Sequence, residues 1–189
     1  MRSNLIGLAL LMLVGSAQSQ PVGEPVADDI PMLDPARFPA LPADVRQDLE
    51  RRGCRIPQNQ EANPDAPNNV VSGRFRSARQ KDWAVLCSRN GTSSLIVYWA
   101  GDAGGIFVGP GSPDVEWMQW AGPAEGWHYA RYVATATPAT IRRLGDAFGE
   151  PSGLPAPLDH DGIEEGDAAK ASVIRYWHQG RWLELTGMD

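Results

Sequence analysis

The chain has 189 residues, 42% of them hydrophobic, and carries 17 Lys and Arg against 23 Asp and Glu, a net charge of −6. Nucleic-acid affinity comes largely from Lys and Arg neutralising phosphates. The acidic balance, with only the isolated pairs Arg51-Arg52 and Arg142-Arg143, therefore argues against nucleic acid and anionic membrane as partners.

Arg2, the apolar run Leu5 to Val14 and the small residues around Ala17-Gln18-Ser19 follow the three-part pattern of a cleavable secretory signal. A spanning helix needs roughly 20 apolar residues, about twice what this run offers. No Cys lies near the cleavage point and no second apolar run follows, so no membrane anchor is expected after cleavage. The expected location is periplasmic or secreted. Removing residues 1–19 leaves 170 residues and, with Arg2 gone, a net charge of −7. That length suits one domain.

Residues 20–42 hold Pro21, Pro25, Pro31, Pro35, Pro39 and Pro42 and read as an extended arm. Met32, Leu33, Phe38 and Leu41 can pin its later half to a globular domain over 43–189. Val45 and Leu49 share one helical face between Pro42 and Gly53, which predicts a helix over Pro42 to Arg52. Cys54 and Cys87 form an even pair that reads as a disulfide in an oxidising compartment.

Residues 57–69 read as a polar loop. Strands are expected over Val70 to Phe75, Asp82 to Ser88 and Ser94 to Trp99, the last two joined by the Asn90-Gly91 turn. Leu95 to Trp99 is apolar at every position, the mark of a strand covered on both faces. Ile106 to Val108, Val115 to Trp120 and Trp127 to Ala134 are further strands, and Thr137-Pro138 opens a helix to Phe148. Glu150 to Gly166 reads as a loop, and Ala171 to His178 with Arg181 to Leu185 as a closing hairpin. The fold class is mainly β (α+β): an antiparallel meander of about seven or eight short strands, two short helices and one disulfide.

The densest polar stretch is Asp159-His160-Asp161-Gly162-Ile163-Glu164-Glu165. Three readings stand side by side. Asp159 and Asp161 could offer oxygens to calcium. His160 could serve as a general base with Asp159, Asp161 or Glu164 beside it, the site of an envelope hydrolase. Or the stretch is a polar turn capping the last hairpin. His128 and His178 lack metal-ligand spacing and read as packed strand residues. Seven tryptophans are many for this length. Trp83, Trp99 and Trp177 read as core, whereas Trp117, Trp120 and Trp127 are candidates for binding a glycan or a protein. Ser112 has no nucleophile-elbow context, and no phosphate-binding or dinucleotide motif is present, so no cofactor is expected.

Val70-Val71-Ser72-Gly73-Arg74-Phe75, Lys81-Asp82-Trp83-Ala84-Val85-Leu86 and Ser94-Leu95-Ile96-Val97-Tyr98 resemble one blade of an FG-GAP-type β-propeller. The resemblance implies a three-strand meander over residues 70–98. The family's acidic calcium loop is replaced by the basic Arg76-Ser77-Ala78-Arg79-Gln80-Lys81, so calcium is not implied there. The whole chain is also similar to uncharacterised secreted proteobacterial proteins, which implies no activity. The resulting expectation is a non-catalytic exported domain that binds an envelope protein or glycan, with the hydrolase or metal loop and the tryptophan surface as alternatives.

Overall fold

The computed structural model describes residues 23–62, 66–151, 153–168 and 170–188. The signal segment read over residues 1–19 lies outside the described residues. Two four-stranded antiparallel meanders pack face to face, each with a helix on its outer side. The first runs β3 (Val70–Gly73), β4 (Asp82–Arg89), β5 (Thr92–Tyr98) and β6 (Ile106–Pro113). The second runs β9 (Arg131–Ala136), β10 (Gly162–Asp167), β11 (Ser172–His178) and β12 (Arg181–Thr186). Two small pairs complete the set: β1 (Met32–Leu33) with β2 (Ile56–Pro57), and β7 (Met118–Trp120) with β8 (Trp127–Tyr129).

The period of two along β4 and β5 explains the layering. Ala84, Leu86, Leu95 and Val97 face inward and meet Val133 and Ile163 of the opposite sheet, with Phe75 and Tyr129. Trp83, Val85, Cys87, Ile96 and Tyr98 face outward onto Val45 and Leu49 of α1 (Ala43–Arg51) and onto Phe38, Leu41 and Ile56. Both faces are covered, as the unbroken apolar run of β5 requires. On the far side Ile141 and Leu144 of α2 (Pro138–Phe148) cover Ala136, Ile174, Tyr176 and Leu185. Thr137 caps α2 by accepting the Thr140 amide at 3.2 Å.

Cys54 and Cys87 are bonded, their Cα atoms 5.2 Å apart, tying the end of α1 to β4. The arm is anchored as its apolar residues suggest: Phe38 and Leu41 are buried, along with Ile30. Asp48 of α1 is also buried. Burial pulls its carboxyl upward, but bonds from Arg52, Tyr98 and Arg51 outweigh that and hold it below the usual carboxylate value.

Three sequence expectations need correction. Val115 to Trp120 is not one strand: Asp114–Trp117 is a 3-10 turn and only Met118–Trp120 pairs. Trp127 to Ala134 breaks at Ala130, whose carbonyl accepts Asn59 Nδ2 at 2.9 Å and the Ala168 amide at 3.1 Å. The chain there leaves the β7–β8 hairpin for the second sheet. Finally, the loop assigned to Glu150 to Gly166 ends early, because Gly162–Asp167 is a central strand buried at every position. Its carboxylates made it look solvated. Partners remote in sequence make their burial tolerable.

The two sheets are stitched along the β3 and β9 edges. Asn69 donates through Nδ2 to the carbonyls of Pro57 and Arg131 and accepts the Val133 amide at Oδ1. Thr135 Oγ1 donates to Ser72 O at 3.1 Å, and the Asp161 amide to Arg74 O at 2.9 Å. Asp82, the acidic residue of the blade-like stretch, is fully buried. It accepts the amides of Arg76 and Ala100 and the side chain of Gln80, so it organises the β3–β4 turn.

Candidate functional site

Away from the stitched edge, the sheets part around a cavity of about 310 Å³. Its walls are Pro110, Gly111 and Ser112 of β6, Trp117, and Arg131, Glu165, Val173 and Arg175 on the inward face of the second sheet. Register produces the charged floor. Arg131, Glu165 and Arg175 stand on three neighbouring strands, on the same face as Val133 and Ile163.

Arg131 is 2% exposed. Its Nη1 donates to Ser93 O at 3.0 Å, Ser93 Oγ at 2.6 Å and Ser112 Oγ at 3.2 Å. Its Nη2 pairs with Glu165 Oε1. Trp117 lies over the guanidinium, 4.6 Å from ring centroid to Cζ, and its indole N–H donates to Ser112 Oγ at 2.7 Å. Tyr129 closes the back of the network, its hydroxyl 3.2 Å from Ser93 Oγ. Burial pushes the Tyr129 phenol upward, so it stays protonated.

Arg175 completes the row. Its Nε stands 3.6 Å from Glu165 Oε2, too far for a hydrogen bond. Its Nη1 pairs with Glu184, whose side chain is 58% exposed. The buried atoms Arg131 Nε, Glu165 Oε2 and Arg175 Nε have no hydrogen-bond partner among the described residues. Unmet donors and acceptors lining one cavity are the usual mark of a place where a ligand or ordered water completes the bonding.

The residues singled out from sequence are dispersed. The His160 ring is 6% exposed and stacks on Tyr176 with centroids 4.3 Å apart and planes 1° apart. Its Nδ1 lies 3.1 Å from the Asp161 carbonyl oxygen. Asp161 turns the other way, accepting the Arg74 amide at 2.9 Å. Glu164 accepts the hydroxyls of Tyr132 and Ser172, each at 2.8 Å. His160, Asp161 and Glu164 are thus each committed to a different set of partners. Asp159 is exposed, and among the described residues no group of three His, Cys, Asp or Glu is placed to hold a metal. His128 Nε2 sits 3.1 Å from the Glu125 carbonyl oxygen, and His178 tilts against Tyr176.

Among the tryptophans, Trp117 belongs to the cleft. Trp120 is 40% exposed and meets Trp127 at 5.7 Å with planes 62° apart, so the pair is edge-on and offers no shared flat platform. Trp127 donates to Gly23 O, pinning the start of the arm. Sequence reasoning missed Arg131 and Arg175, and placed Glu165 only within a polar stretch read as a loop. The available signal was an Arg inside each of two otherwise apolar strands, Arg131-Tyr132-Val133 and Ile174-Arg175-Tyr176, in a chain with an excess of carboxylates. No family model, curated protein or solved structure matches the chain.

Proposed function

We propose that the chain is an exported, non-catalytic binding protein of the bacterial envelope, with its ligand site in the cleft between β6 and the second sheet. One observation carries the reading: a cavity of about 310 Å³ whose floor is the row of buried Arg131, buried Glu165 and partly exposed Arg175. Small-ligand sites are concave, mostly apolar and fixed by a few polar groups. The volume admits a small molecule or the end of an envelope peptide or polymer. The export signal over residues 1–19 and the Cys54–Cys87 bond support an oxidising location.

Among the described residues, no nucleophile and base converge in the cleft. Ser112 Oγ receives N–H bonds from Trp117 and Arg131, and Arg131, a permanent cation, cannot take its proton. Binding without turnover is therefore the activity these groups fit.

The test is a cleft-filling variant, Val173→Trp. The mature protein is mixed with the low-molecular-mass fraction of an envelope extract, and its thermal unfolding midpoint and tryptophan emission are recorded. The wild-type midpoint should rise and the variant's should not. An unchanged wild-type midpoint, or an equal rise in both proteins, refutes the assignment.

A further inference from the structure

We infer that the cleft takes a monocarboxylate with an apolar body. This rests on the cleft being the ligand site and names the chemistry of what enters.

The polar groups of the walls are mostly donors. Ser112 Oγ already accepts from Trp117 Nε1 at 2.7 Å and from Arg131 Nη1 at 3.2 Å, which leaves its O–H to offer. Arg175 has a side chain 20% exposed, so it is the cation a ligand can reach, while its buried Nε, 3.6 Å from Glu165 Oε2, lacks a hydrogen-bond partner. Arg131 lies behind it, locked to Ser93, Ser112 and Glu165. Against these stands one lining carboxylate, Glu165, whose Oε1 is taken by Arg131 and whose Oε2 lies 3.6 Å from Arg175 Nε. Asp167 pairs with Lys170 at 3.8 Å and is not part of the lining. The lining thus holds two guanidiniums and one carboxylate, and a second, incoming carboxylate balances it. Guanidinium and carboxylate match in planar geometry. The other walls, Pro110, Trp117, Ala171 and Val173, are apolar and suit a hydrophobic body.

Glu184 gives the site a competitor. It holds Arg175 Nη1 from an exposed position, where an ion pair is worth about 0–1 kcal/mol. A ligand carboxylate delivered to the sheltered side of Arg175 displaces it at little cost. The acid can be a free small molecule or the C-terminus of a peptide, and both present the same group.

The probes are 3-phenylpropionate and its neutral amide, 3-phenylpropionamide, then a tripeptide ending in phenylalanine with a free or an amidated C-terminus. Each is titrated into the full mature protein by calorimetry. The acids should bind about tenfold or more tighter than their amides, as expected when one charge-assisted bond is lost. Arg175→Gln should cost a similar factor, and Glu184→Gln should strengthen binding several-fold by removing the competitor. A tighter tripeptide assigns the source to chain termini, and a tighter phenylpropionate to free acids. Amides that match the acids, an acid affinity unmoved by Arg175→Gln, or no saturable heat with either acid overturns the proposal. Val173→Trp separates the two levels: binding that persists in it refutes the cleft, whereas binding it abolishes without charge preference refutes only the carboxylate. Circular dichroism on each variant confirms that it is folded.

Discussion

Arg131 is a guanidinium with almost no access to solvent, held by two serines, one glutamate and a tryptophan face. Removing one partner of a buried ion pair leaves the other charge unpaired and typically costs about 3–5 kcal/mol, whereas replacing both with apolar groups is often neutral. Arg131→Met should therefore lose about 3–5 kcal/mol in urea unfolding, because Glu165 keeps only its longer contact with Arg175. Arg131→Met combined with Glu165→Leu should recover most of that loss. If the double variant is as unstable as the single one, the serine and tryptophan contacts, not the charge pair, hold this region. The pair's value then lies in ligand binding: the double variant folds but loses the donor wall of the cleft.

At the scale of elements, the stitched edge shows how one side chain can replace a strand ladder. Asn69 sits at φ 64°, in the left-handed region that Asn tolerates better than most residues, and joins the carbonyls of Pro57 and Arg131 and the Val133 amide. Asn69→Ala loses three hydrogen bonds and keeps the unfavourable φ, so it should cost about 3 kcal/mol. Hydrogen exchange should speed up first in β3 and β9, and uniform acceleration across both sheets would contradict this role. Residues such as Asn69 mark the limit of reading by sequence. The helix from Pro42 and the hairpin at Asn90-Gly91 were legible because their signals are local: a proline, a periodic face, two turn residues. The covered faces of β5 were legible from its unbroken apolar run. The strand β10 was not, because Glu164, Glu165 and Asp167 look solvated until Arg131, Tyr132 and Ser172 are known to stand beside them. The cleft was illegible for the same reason. Its charged row comes from three strands whose register no local pattern announces. Among its residues Trp117 drew attention only as an aromatic, Ser112 only as a rejected nucleophile and Glu165 only as part of a polar loop.

At the scale of the whole molecule, the helix, sheet, sheet, helix stack places three hydrophobic clusters in series, and the Cys54–Cys87 bond sits in one of the two outer ones. The bond closes a loop of 33 residues that contains β2, β3, the first turn of the blade-like stretch and most of β4. In the chain-entropy account, closing such a loop restricts the unfolded chain and stabilises the fold by roughly 4 kcal/mol. Both cysteines are also buried against Ile56, Val85 and Ile96, so a thiol pair would still pack there. The Cys54→Ala and Cys87→Ala double variant should therefore fold with the same sheets, seen as an unchanged far-ultraviolet spectrum, yet unfold at lower urea with a loss of about 3–4 kcal/mol. Its denatured state should also expose more surface, raising the urea dependence of the unfolding free energy. The cleft lies between the sheets, on the inner side of the molecule from this bond, so carboxylate affinity at saturating fold should stay at the wild-type value. A variant that keeps its stability would show that the bond adds nothing beyond packing. One that keeps its stability but loses ligand would instead couple the outer cluster to the cleft through β4 and β5.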